Sequence, residues 1–165
     1  MRKLPKSIKA EEYVRLMKEA TNDKISIVSF VLSYGAGLRL GDVTRLKRED
    51  IDESRKTISI WGGKGGVDAT VPLPKGWRSW MMKYLPITKS DRTLERKFNK
   101  YRDKCKLPNY YTFHSLRHGF ALRLIEQGVP INQVQVLMRH SDVSTTGIYL
   151  KARPQDALES YEERF

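Results

Sequence analysis

A mainly helical fold with one small antiparallel β-sheet is what this sequence predicts, and three observations carry that reading. Apolar residues recur at three- and four-residue spacings along most of the chain. Two short runs, 57–61 and 69–73, favour β structure instead. Between them lies a glycine-rich turn, Gly62-Gly63-Lys64-Gly65-Gly66, of the kind that joins the strands of a hairpin. With 165 residues, no low-complexity linker and no internal repeat, the chain suits one domain with a real hydrophobic core.

Taken in order, the first helix spans residues 9–20, where Tyr13, Leu16, Met17 and Ala20 share a face. Thr21, Asn22 and Asp23 offer caps for the next, which runs from Lys24 to Tyr34, is nearly all apolar, and is stopped by Gly35 and Gly37. An element apolar on every side belongs at the centre of the core. A third helix follows through Leu40 to Leu46, and the hairpin ends at Pro72 and Pro74. Beyond it helices are expected over 77–85, 93–105, 113–127, 130–139 and 143–150, with a last one from Gln155. Gly128 ends one of these, Pro130 suits the first turn of the next, and Ser141 or Asp142 can cap the short helix carrying Tyr149.

Charge narrows the function. Lysine and arginine total 31 against 19 acidic residues, a net +12, which points to a polyanionic partner. No stretch approaches the roughly 18 consecutive apolar residues of a spanning helix, and the N-terminal residues lack the apolar core of a signal peptide, so a soluble intracellular protein is expected. Cys105 stands alone, which excludes an internal disulfide and a cysteine-based zinc site.

The chemistry concentrates at His114-Ser115-Leu116-Arg117-His118, at a helix N-terminus behind the cap candidate Thr112. His114 and Arg117, three apart, share a face. Backbone N–H groups at such an end favour an anion, a guanidinium forks onto two phosphate oxygens, and an imidazole holds or donates a proton. Either residue alone is more commonly structural. All three histidines, however, fall between positions 114 and 140. The four-residue spacing of His114 and His118 suits zinc only if a glutamate follows the first histidine, and Ser115 stands there, so no metal is expected.

Five separated segments together resemble the tyrosine recombinase (phage integrase) family, in the order that family shows. Tyr34-Gly-Ala-Gly-Leu-Arg-Leu-Gly-Asp-Val-Thr-Arg-Leu46 is similar to its first arginine box, which implies Arg39 as a catalytic arginine and Asp42 as the supporting acid. The turn around Lys64, followed by Val71-Pro-Leu73, resembles the lysine hairpin. His114-Ser-Leu-Arg117 matches the His-x-x-Arg box, Leu137-Met-Arg-His140 resembles the Leu-Gly-His box, and Thr145-Thr-Gly-Ile-Tyr149 resembles the nucleophile segment. The likeness runs from Leu4-Pro5 to the final helix and implies the catalytic-domain fold of that family.

What the resemblance implies is a site-specific recombinase or integrase that cleaves and rejoins double-stranded DNA through a 3′-phosphotyrosyl intermediate. Tyrosine titrates near about pH 10, so Tyr149 needs an electropositive site or a base in order to attack. Arg39 and Arg117 would hold the two non-bridging oxygens, His140 would add a hydrogen bond, Lys64 would protonate the departing 5′ oxygen, and His114 would accept the tyrosine proton. The phosphotyrosine keeps the bond energy, so neither ATP nor a metal or other cofactor is implied. A DNA-assembled homo-oligomer, a synaptic tetramer, and a cytoplasmic site of action follow from the same likeness.

The chain departs from the family pattern in four places. Arg139 replaces the glycine that usually precedes the box histidine, and as a cation beside the site it is expected to contact DNA. Val67-Asp68-Ala69 stands where further basic residues are common, and Asp42 where glutamate is frequent. No N-terminal core-binding domain is recognisable, so residues 1–165 are expected to form one catalytic domain. Two other readings use the same features: DNA relaxation of the type IB topoisomerase kind, and a catalytically inactive DNA-binding module.

Overall fold

The computed structural model describes residues 6–61 and 69–139. The expected helices over 143–150 and from Gln155, and the turn at 62–66, lie outside them.

One apolar helix, preceded by a short amphipathic one, organises the chain. Helix α1, Ala10–Glu19, buries Leu16 and opens with the Lys9 N–H donating to Glu12 Oε2 at 2.9 Å. Helix α2, Lys24–Ala36, starts at Asp23, whose carboxylate accepts the Ser26 N–H, and is buried along nearly its whole length, as an all-apolar pattern demands. It passes through Gly35, expected as a stop, because Gly35 packs flush on Pro74, where an added Cβ would lie 2.5 Å from the proline Cβ. Gly37 is the true terminus. It takes the left-handed conformation with φ 71°, and no side chain fits there because the Phe120 ring occupies the space.

The short helix α3, Leu40–Arg45, follows directly and leads through a 3-10 turn at Arg48–Asp50 into the sheet. Strands β1, Ile51–Asp52, β2, Thr57–Ile60, and β3, Ala69–Pro72, form an antiparallel sheet in the order β1-β2-β3, with Ile58 opposite both Ile51 and Val71. The hairpin is therefore as expected, and the edge strand β1 is an addition, since two residues carry no readable alternation. The helix expected over 77–85 is instead a six-residue 3-10 segment, Ser79–Tyr84. Arg48 gives the reason: its guanidinium donates to the carbonyls of Met82, Lys83 and Leu85, groups at the end of that segment that an α-helix would have to continue or cap.

Helix α4, Asp91–Lys104, begins two residues earlier than the pattern suggested because Ser90 caps it, accepting the Thr93 N–H. Helices α5, His114–Glu126, and α6, Ile131–Met138, complete the described fold, with Pro130 just outside α6 rather than in its first turn. Helix α5 packs chiefly on α2. Phe30, Phe98 and Phe113 meet edge to face or tilted at centroid distances of 5.8–6.2 Å, so α2, α4 and the start of α5 share one aromatic centre. The extended N-terminal segment also lies so close to α5 that a Cβ on Gly119 would stand 2.7 Å from the Ile8 carbonyl. The mainly helical class with a small antiparallel sheet is thus the observed one. No helix among the described residues is long and apolar enough to cross a membrane.

Candidate active site

The turn between α2 and α3 is built to hold one side chain. Ser33 Oγ donates to the Leu38 carbonyl at 2.9 Å from inside the core, and Arg117 on α5 donates to the Gly37 carbonyl. Clamped from both ends, the turn delivers Arg39 to the first position before α3, half-buried. The Asp42 carboxylate completes the start of α3 by accepting the Arg39 N–H at 3.1 Å.

Helix α5 supplies the second contribution. Phe113, fully buried in the aromatic centre, anchors its start, so His114 next to it projects to the surface while Arg117, one turn on, points inward at 4% exposure. Thr112, expected to cap this helix with its hydroxyl, does not. Its backbone N–H donates to Ser115 Oγ, and the Phe113 N–H is taken by Glu95 Oε1 of α4 at 3.0 Å. Eighteen residues separate those two partners, and no local pattern announces a cap that comes from another helix.

Both arginines close on the end of α6. Arg117 donates to the Met138 carbonyl, and Arg39 reaches the Arg139 carbonyl at 3.5 Å. Terminal carbonyls of a helix lack intrahelical partners and carry partial negative charge, so guanidinium groups suit them. The residue after this end is His140, which with Lys64 and Tyr149 lies outside the described residues. Sequence reasoning expected Arg139 to contact DNA. Its guanidinium turns inward, onto Asp42 Oδ2 at 2.7 Å, and is held there in an ion pair. Asp42, expected to support the site, accepts the Arg39 N–H and pairs with the Arg139 and Arg45 guanidinium groups.

The electrostatics follow from this crowding. His114 reaches solvent, yet the protein packed around its ring lowers its pKa by desolvation, the neighbouring charges of Arg117 and Arg39 lower it further, and Glu95 opposes them, so the imidazole is neutral at neutral pH. Burial and the Arg139 charge likewise lower Arg39, against Asp42. Burial pushes the Asp42 carboxyl up, but Arg139 and the Arg39 N–H outweigh it and hold it below the usual carboxylate range. The result is a pocket of guanidinium groups around one ionised carboxylate, beside an imidazole able to accept a proton. Guanidinium groups gathered in this way are chemically suited to an anionic oxygen. Along the other wall of Asp42 a cleft of about 1020 Å³ runs between α3 and β2, lined by Arg45, Lys47, Arg48 and the exposed Trp61.

Residues 6–156 match the family model described as the Phage integrase family. The chain is 34% identical over 98% of its length to tyrosine recombinase XerA of Thermococcus kodakarensis and spans 64% of that protein. It is 29% identical to tyrosine recombinase XerC of Proteus mirabilis over 98% of its length, spanning 59% of that relative. Among solved structures, that of XerA recombinase superposes with a TM-score of 0.79 at 24% identity, over 98% of this chain and 66% of the other. A lambda integrase dimer bound to a COC′ core site gives 0.71 at 23% identity, over 94% of this chain and 51% of that one.

Proposed function

The chain belongs to the Phage integrase family, and from that premise we propose that residues 1–165 form the catalytic domain of a site-specific DNA recombinase. One observation carries the proposal. Arg39 and His114-x-x-Arg117, 75 residues apart in sequence at their nearest, are gathered around the end of α6, the element that leads directly to His140.

In this reading Tyr149 Oη attacks the scissile phosphorus, giving its proton to His114, whose lowered pKa leaves it free to accept one. Arg39 and Arg117 hold the non-bridging oxygens as the fifth bond forms, with His140 as a further donor. The bond to the 5′ oxygen then breaks, Lys64 protonates that oxygen, and the phosphate stays on Tyr149 as a 3′-phosphotyrosine. Reversal with a new 5′ hydroxyl rejoins the strands. No step calls for ATP or a bound metal ion. The partner is double-stranded DNA at a specific site, engaged by the net +12 chain, and the working form is a homo-tetramer on two paired sites, acting in the cytoplasm.

The test is adduct formation on nicked suicide substrates, resolved on denaturing gels. Tyr149→Phe is expected to abolish the covalent protein–DNA species while leaving DNA binding nearly intact, since one hydroxyl is lost from a large basic interface. An adduct that persists in the variant moves the nucleophile elsewhere, with Tyr161 next to be tried.

A further inference from the structure

Arg139 ends α6 in the left-handed conformation, with φ 57°. For a residue with a Cβ that conformation costs on the order of 1–2 kcal/mol, and glycine or asparagine would occupy it more easily. The return on that strain is a closed ring of contacts. Asp42 Oδ2 accepts both the Arg139 guanidinium, at 2.7 Å, and the Arg39 backbone N–H, at 3.1 Å, while the Arg139 carbonyl accepts the Arg39 guanidinium at 3.5 Å. Each arginine thus contributes backbone and side chain to the same clasp across about 100 residues of sequence. The ion pair is largely shielded from water, with side-chain exposures of 12% for Arg139 and 3% for Asp42.

We propose that Arg139 is a positioning residue: through Asp42 it fastens the end of α6 to the start of α3 and so fixes where the Arg39 guanidinium sits. The proposal rests on the recombinase reading for its consequence in catalysis, not for the clasp itself. A displaced guanidinium still attracts DNA but no longer meets the transition state, and misplacement by about 1 Å can lower a rate roughly a hundredfold. Removing Arg139 is therefore expected to slow the chemical step at saturating DNA and to leave affinity alone.

The decisive variants are Arg139→Gly, which relieves the left-handed strain while deleting the guanidinium, and Asp42→Asn, which keeps the shape of the carboxylate without its charge. In each, with circular dichroism showing an intact fold, the Arg39 side-chain ¹⁵N–¹H resonance of the DNA-free protein should move toward that of a free arginine. Single-turnover cleavage of a suicide substrate at saturating DNA should fall by about tenfold or more. The double variant should be no slower than either single one, because both break the same link. Arg139→Lys, which keeps a charge for Asp42, should recover part of the rate. An unmoved Arg39 resonance overturns the proposal whether or not the protein cleaves DNA. Additive rate losses overturn it as well, as does a loss of affinity with a salt slope lower by about 0.9 and an unchanged saturated rate, the mark of a direct phosphate contact. Absence of any adduct from the wild-type chain sinks the recombinase reading instead, and the resonance still decides the clasp.

Discussion

The body of the molecule and its α5–α6 end are held together by different means. In the body, Phe30, Phe98 and Phe113 bind α2, α4 and the start of α5 within one continuous apolar core that also takes in β2 and β3. At the other end a separate small cluster, Phe120, Ala121, Ile125, Val134 and Met138, joins α6 to α5, and α6 itself buries only Val134 and Met138. What the small cluster lacks in apolar area is supplied by Arg117, Arg39 and the Arg139–Asp42 pair on the helix terminus. The element leading to His140 is therefore docked by the groups that the proposed reaction uses. Damage in the body should be global and damage at the α6 end local.

The largest expected effect breaks the body. Phe30→Ala should cost about 3–5 kcal/mol in urea unfolding, with every element losing stability together. Arg117→Lys keeps a charge but loses the fork across two carbonyls. Cleavage should drop by roughly a hundredfold or more, and hydrogen exchange should speed up in α6 while α2 and α4 keep their protection. Uniform loss of protection across the chain would erase the distinction between the two regions.

The hairpin sharpens the contrast within the site. If Lys64 is the general acid, Lys64→Ala should be slow on ordinary DNA and substantially restored when the bridging 5′ oxygen is sulfur, because a thiolate leaves without a proton. Arg39→Ala should stay slow on both substrates, since its task is transition-state charge. Equal defects for Lys64→Ala on the two substrates would remove it from that role.

Two pH effects separate the regions further. In the body, burial pushes the Asp23 carboxyl up, but hydrogen bonds from Lys97, the Ser26 N–H and Tyr101 outweigh it and hold the group at about 2. A depressed carboxyl stabilises the fold above its unfolded pKa and loses that contribution as pH falls from about 4 to about 2, worth on the order of 1–2 kcal/mol. Asp23→Asn should flatten stability across that window. At the site, the smallest shift is expected from Glu95→Gln, which keeps the cap on Phe113 but removes the charge that supports the His114 imidazolium. The acidic limb of the cleavage profile should move to lower pH without loss of fold, and an unmoved limb would mean that His114 is not the base.

Much of this was legible because it is local. The apolar run of α2, the Asp23 cap and the hairpin strands all depend on neighbours within a few residues, where side-chain period and capping chemistry act directly. By itself the sequence determined the helical class, the net +12 and which residue types stand in which order. Tertiary structure alone decided that Glu95 caps α5 from α4, that Arg48 ends the 3-10 segment, that α2 passes through Gly35, and that Arg139 pairs with Asp42. In each of these an arginine, a glutamate or a glycine can serve solvent, a ligand or a distant backbone group equally well in isolation. Which partner wins depends on what the fold brings within about 3 Å and shields from water, a distance that no spacing along the chain encodes.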